Sequence, residues 1–409
     1  MSNNLITTSI FAKAAVKILD NELVMGSRVY RGHESDFDKK VNGYEPGQTI
    51  SVRKPNQFKV RKGATASNQD IVEGSTTITV NKQIGVDFKL TSVERTMHIT
   101  ELAERVIKPA MVPLANEIDR DLHTLAMTNF YNWVGTPGGA LDSYSKWLKG
   151  PQRLKEMAVP MDDVAGVISP ADEASLLGSL SSTYVQQIAS SAIREGAVGR
   201  LASVDTYVTQ NAPVLTTGSR TNGLVNGASQ AVTYDAAQAK KWGQTLNADG
   251  LGASATIKAG EVFTIAEVYA VNPVTKQVLP YLQQFVVTED VTADGSGAAT
   301  LSIQPAIITT GAFQTVSAAP ADNAVITWVG SASQNYQQNL IFHRNALSLV
   351  VVPLVMPDGA TGGARESYKN LSVRVQPYYD GTNDVSNWRL DVLYGCAAID
   401  PRLGTRING

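Results

Sequence analysis

Residues 91–133 read Thr91-SVERTMHITELAERVIKPAMVPLANEIDRDLHTLAMTNFYN-Trp133, and their spacing decides the fold. Apolar side chains recur at Leu102, Val106, Ala110, Leu114, Ile118, Leu122, Leu125 and Ala126. Steps of four and three place them on one face of a helix. Glu101–Arg105 and Glu104–Lys108 add acid-first pairs four apart, the favourable order on a helix. From Leu102 to Trp133 such a helix spans roughly 48 Å at ~1.5 Å per residue, longer than a compact domain needs. Pro109 and Pro113 lie inside the pattern. Each removes a hydrogen bond and crowds the preceding turn, so a kink or restart is expected there. The expected object is a kinked spine on which the other segments hang.

N-terminal to the spine, Thr7–Met25 reads as an amphipathic helix with Phe11, Ala15, Ile18 or Leu19, and Leu23 on one face. It either packs on its own domain or reaches a neighbour, with the polar stretch Gly26–Asn42 as tether. Tyr44–Leu90 then alternates at Thr49–Arg53, Thr77–Asn81 and Val86–Leu90, the period of strands in a long hairpin. Arg53, Lys54, Lys59, Arg61 and Lys62 crowd its outer part with no acid among them. That part holds too few apolar residues to bury a core of its own. A two-stranded ribbon is marginal in isolation, so it predicts a partner surface, most simply an adjacent copy. The alternative is a solvated loop. Only Phe58 is available to stack on a base, which disfavours a nucleic-acid patch.

Beyond the spine, Val164–Leu177 reads strand, turn, helix, with Pro170 opening the helix and Asp172 and Glu173 at its positive end. Ser203–Thr209 is a further strand. Composition then changes. Residues 221–330 hold four lysines, no arginine and eight acids, a balance of −4. Helical periodicity fades and short strands follow, at Ala255–Lys258, Val262–Val271, Phe285–Thr288, Thr300–Ile303 and Ala324–Val329. Turn signals at Asn247-Ala-Asp-Gly and Asp294-Gly-Ser-Gly separate them. This is the pattern of an inserted all-β barrel or sandwich whose ends lie close together. After it, Asn339–Pro353 is β-prone, and Leu371–Gln376 and Trp388–Tyr394 alternate about the turn Asp380-Gly-Thr-Asn-Asp.

The totals exclude several classes. The 409 residues suit two or three domains. Net charge is −2, which gives no global field to attract DNA. No apolar run approaches the ~18 residues of a membrane span. The start MSNNLITTSIF lacks a signal-peptide pattern. With one cysteine, Cys396, the chain has no internal disulfide framework, and folding in a cytosol is expected. His33, His98, His123 and His343 lie far apart, without metal-ligand spacing. HExxH, GxSxG and P-loop patterns do not occur. Nothing in the sequence argues for catalytic, metal or cofactor residues.

Several segments in order resemble a known family: VDFKLTSVER and ELAERVIKPAMVPLANEIDRDL, then IREGAVGRLASVDTYVTQN, NLIFHRNALSLVVVPL and WRLDVLYGCAAIDPRLGTRI. Together they are similar to the major capsid (coat) proteins of short-tailed Salmonella-type phages and related tailed phages. The resemblance runs from about Tyr44 to Arg406. It implies an α+β chain of the Hong Kong 97-type phage capsid fold. The segments become an N-arm (1–43), an E-loop (44–90), a peripheral domain with the spine helix (91–163), an axial domain in two parts (164–220 and 331–379), an inserted all-β domain (221–330) and return strands to the peripheral domain (380–409). It further implies self-assembly into pentamers and hexamers around double-stranded DNA, bound without sequence specificity. Partners would be a separate scaffolding protein, a portal protein and a decoration protein. No cofactor and no membrane are implied. Arg53, Lys54, Lys59, Arg61 and Lys62 would then be inter-subunit contacts, and Pro109 and Pro113 a hinge. Two competing readings are an encapsulin-like compartment shell and, from another class, a β-rich polysaccharide hydrolase.

Overall fold

The computed structural model describes residues 8–37, 48–61, 63–66, 68–91, 106–181, 198–235, 240, 242–357 and 362–409. The chain is a mixed α and β protein with few helices and many strands. It divides into two units, one of residues 1–50, 77–122 and 348–397, the other of 51–76, 123–347 and 398–409.

In the first unit, Val385–Ala398 is the longest strand and the centre of a five-stranded sheet. Leu371–Asp380 pairs with it across the predicted turn, and Ala364–Tyr368 follows outside. Lys82–Thr91 pairs with Val385–Tyr394 on its other side. The third strand expected in the hairpin therefore belongs to this sheet instead. Alternation made Val86–Leu90 a strand, but only long-range pairing could choose its partner. The N-terminal helix Thr8–Glu22 lies on the strands Ala364–Tyr368 and Leu371–Asp380. Its apolar face is Phe11, Ala15, Leu19 and, just beyond, Leu23, all buried. Phe11 meets Trp388 at 5.0 Å between ring centroids, with Phe88 stacked on the same indole.

The spine helix runs Lys108–Asn129, about 33 Å at 1.5 Å per residue. Ala110, Leu114, Ile118, Leu122 and Ala126 form its buried stripe, as the spacing predicts. Its C-terminal end comes earlier than expected, since Trp133 belongs to a strand; Leu102–Arg105, where the expected helix begins, lie outside the described residues. Pro109 is the second residue of the α-helix Lys108–Asn129, which directly follows a π-helical Val106–Ile107. Only Pro113 stands inside, in a helix that is continuous through it. Asp119, buried on this helix, accepts from Val24 N and Gly26 N, both at 2.8 Å. The carboxylate thereby holds the turn after the N-terminal helix.

The second unit contains a six-stranded sheet and a barrel. The sheet runs Trp133–Val134, Gly404–Ile407, Asn339–His343, Val164–Ile168, Val204–Val208, Arg200–Leu201. The helix Tyr144–Glu156 sets Trp147 into its core. Gly166 is required there, because a Cβ would lie 2.7 Å from the Trp147 ring. Ser169 caps the helix Pro170–Ser181 by accepting from Asp172 N at 3.1 Å. The Asp172 carboxylate accepts from Leu141 N, Ser169 Oγ and Asn339 Nδ2 at 2.7–2.9 Å, tying three segments together. Two boundaries depart from expectation. Gly404–Ile407 joins this sheet rather than the strand Val385–Ala398. Residues 348–379, expected with 164–220, fall in the first unit.

The inserted segment forms a closed barrel in the order Gln244–Asp249, Ala299–Gln304, Val278–Val287, Val262–Val271, Val325–Trp328, Gly223–Val225. Its first and last strands pair, Leu224 opposite Val325, so the two ends of the insertion are neighbours. Leu246, Phe263, Ile265, Phe285, Leu301, Ile303 and Ile326 fill it, with Phe263 between Phe285 and Trp328.

Candidate assembly surfaces

The ribbon is two-stranded only at its base, where Thr49–Arg53 pairs with Ser75–Thr79. Beyond that, Gln69 clamps the two arms: its amide accepts from Lys59 N at 2.8 Å and donates to Lys59 O at 2.7 Å. Phe58, Val60 and Ile71 are 57%, 84% and 67% exposed. Leaving them in water forgoes ~1.5–3 kcal/mol per side chain that burial would return. Such an arm is unfinished by itself.

The five cations singled out in the sequence do not act as one patch. Arg53 pairs at 3.1 Å with Glu73 on the opposite arm. Lys54 is only 6% exposed, with Nζ 5.1 Å from the Trp242 ring centroid. Arg61 donates to the carbonyls of Gly63 and Thr65 within its own turn. Lys62 lies outside the described residues. Lys59 and Arg61 therefore stand without a carboxylate partner among the described residues. They face a cleft of about 710 Å³ whose far wall is Tyr234 stacked on Phe313 at 3.6 Å.

At the base of the barrel, arginines lie over aromatic rings. Arg220 forms a buried ion pair with Glu261 and covers Trp328 at 4.4 Å. Glu261 also accepts from Gly218 N and Lys258 N, both at 2.8 Å, so its charge is fully solvated by protein. Arg406 on the last strand is wholly buried. It donates to Phe130 O at 2.9 Å and Gly260 O at 2.7 Å and lies 4.9 Å from the Trp133 ring. Burial alone pushes its pKa down to about 9. Carbonyls at the end of the spine helix and at the start of a barrel strand thus share one guanidinium. Arg153 covers Tyr281 at 3.8 Å. Sequence reading missed all of these, because no periodicity marks a lone arginine as buried.

A second exposed surface lies at the end of the hairpin Leu371–Ala398. Tyr378 and Tyr379 are exposed there, and Tyr379 donates to Asp384 Oδ1 at 2.8 Å. Asp380 accepts from Thr382 N and Asn383 Nδ2, which holds its carboxyl below the usual range.

His123 and His343 make no site between them. His123 is buried, with neither ring nitrogen hydrogen-bonded. Burial pushes its pKa down to about 4, so it is neutral at neutral pH. His343 Nδ1 accepts from Asn345 N at 3.2 Å. His98 lies outside the described residues. Burial raises the Cys396 thiol. Asp294 accepts from Ser296 N and Ala298 N at 2.8 and 2.9 Å and closes a hairpin turn. No helix among the described residues is long and apolar enough to cross a membrane.

The family described as "P22 coat protein - gene protein 5" matches residues 1–409. Among solved structures, the chain is similar to one of Mycobacterium phage Che8, at 12% identity and a TM-score of 0.49, over 94% of this chain and 91% of the other. It is also similar to the capsid of Ralstonia phage GP4, at 8% identity and a TM-score of 0.46, over 100% and 93%. The CUS-3 coat protein I-domain matches at 21% identity and a TM-score of 0.20, over 27% of this chain and 96% of the domain. No curated protein matches.

Proposed function

The chain belongs to the P22 coat protein family and is a structural protein of a tailed phage's shell rather than an enzyme; from that premise we propose how its surfaces build the shell. The observation that carries the reading is a family match along the full 409 residues. The layout is that of a Hong Kong 97-type subunit, with ribbon, spine helix and inserted barrel. Copies meet as pentamers and hexamers through head-to-tail contacts that close into rings. The shell is icosahedral and encloses double-stranded DNA without reading its sequence. Assembly uses a separate scaffolding protein in the host cytoplasm, a portal at one vertex, and a decoration protein outside.

The ribbon lies across the neighbouring copy. Its exposed Phe58, Val60 and Ile71 supply apolar burial that the single chain leaves unmade. Lys59 and Arg61 add charge contacts worth only ~0–1 kcal/mol each. Repetition around the shell makes such weak contacts sufficient, and each alone is weak enough for a misplaced copy to leave. On expansion the spine helix bends near Pro109 and Pro113, a hinge-type change.

Deleting Phe58–Asp70 tests the arm. Electron microscopy of the products is expected to show open sheets or unassembled subunits. Closed shells of normal size would remove the ribbon from the assembly account.

A further inference from the structure

The foot of the ribbon is gripped by its own subunit in an unusual way. Lys54 lies over the Trp242 ring, which takes two cations, Lys54 at 5.1 Å and Arg402 at 4.8 Å. Asp400, buried, pairs with Arg402 at 2.5 Å. Phe313 meets the same indole edge-on at 6.0 Å. Gln57, with its amide turned to satisfy both neighbours, donates to Ala312 O at 3.2 Å and accepts from Arg402. Lys276 stands nearby, its charge opposed by burial, Arg402 and Lys59. Tyr131 and Tyr234 also face Arg402, and burial keeps both neutral. Two cations, Lys54 and Arg402, thus share one carboxylate, with Lys276 a third positive charge beside them. A lysine charge removed from water with so little compensation is costly. Four residues after Lys54, at Phe58, the ribbon is again exposed. Its own ladder bond, Lys54 N to Gly74 O at 2.7 Å, would travel with it, so leaving the seat breaks side-chain contacts alone.

We propose that Lys54 and Gln57 form a releasable latch: seated on Trp242 and Arg402 they park the ribbon on its own subunit, and their release frees it to cross to a neighbouring copy. The proposal rests on the ribbon's role as the assembly arm. The buried charge makes seated and released states close in free energy, so new contacts offered by a neighbour suffice to open the latch. A permanent anchor would place an apolar residue at position 54. Burial pushes seated Lys54 down to about 8 from its ordinary 10.5, with Asp400 opposing that shift and Arg402 adding to it. The seated state therefore binds fewer protons between those values. Raising the pH through about 8 favours seating, and neutral pH favours release.

The test uses the full-length, unassembled chain labelled with fluorotryptophan, Trp242 being assigned by Trp242→Phe. The Trp242 fluorine resonance is expected to titrate with a midpoint near 8. Lys54→Met should abolish that step and hold the high-pH position at neutral pH, whereas Lys276→Met should keep it. Chymotryptic cleavage after Phe58 at neutral pH should slow about tenfold in Lys54→Met, a shift of one unit in the seating equilibrium, and quicken in Lys54→Glu. A flat titration, the same step in Lys54→Met, or faster cleavage of Lys54→Met would each overturn the latch. These readouts are taken before assembly, so they can fail while the ribbon deletion still blocks shells, and the reverse.

Discussion

The barrel and the outer part of the ribbon, residues 51–76, sit in one unit and solve opposite problems. The barrel closes its sheet, so its strands leave no open edge, and it encloses Phe263, Phe285 and their neighbours. Its core is completed within the chain. The ribbon has two short paired strands and holds Phe58, Val60 and Ile71 out in water. A shell protein must be soluble before assembly and adhesive during it. Dividing these demands between a self-sufficient module and an unfinished arm lets each be tuned without the other.

If that division is right, mutations in the barrel act on the lone subunit and mutations in the ribbon act on the shell. The largest effect is expected from Phe263→Ala, which empties the barrel centre and should cost ~3–5 kcal/mol by urea unfolding of the unassembled subunit. Val60→Ser on the ribbon should change that same measurement by less than about 0.5 kcal/mol while lowering the yield of closed shells. Equal losses of stability would erase the distinction. Next comes Glu261→Gln, which leaves the buried Arg220 without its carboxylate. Removing one partner of a buried pair costs about 3 kcal/mol or more. The loss should be seen in urea unfolding, with little dependence on salt because the pair is shielded from solvent. A strongly salt-dependent loss would mean that water reaches the base of the barrel.

The same two regions show what can be read from a sequence. Val262–Val271 and the strand near Thr300 were legible because alternation runs between strong turn residues. Asp294 closes one such turn and Gly297 takes a φ of +84° in it. Gly223–Val225 and Gln244–Asp249 were missed. The first is three residues long, and the second buries only Leu246 and Ala248. The spine stripe was legible, because Ala110, Leu114, Ile118, Leu122 and Ala126 recur at helical spacing and are buried. In the ribbon, local sequence suggested five equivalent cations. Glu73, twenty residues from Arg53, neutralises one, and Trp242 and Arg402, far along the chain, bury another. Charge pattern is local information, whereas burial and pairing are set by register and by distant segments.

The smallest expected effect sharpens the comparison most, because it isolates Lys59 and Arg61, which have no carboxylate partner among the described residues. Lys59→Glu with Arg61→Glu reverses charge on the exposed arm without removing any side chain that contacts the Trp242 ring or fills the barrel. Stability of the lone subunit should stay within about 0.5 kcal/mol of the parent. Shells should weaken by up to ~1 kcal/mol per contact at low salt. The deficit should shrink as salt rises, since exposed charges are screened beyond ~8–10 Å at 0.10–0.15 M. Turbidity of assembly reactions across a salt series reads this directly. A deficit that persists undiminished at high salt would place these side chains in a buried contact, and the ribbon would then be joined to its neighbour by a desolvated interface rather than by a loose electrostatic one.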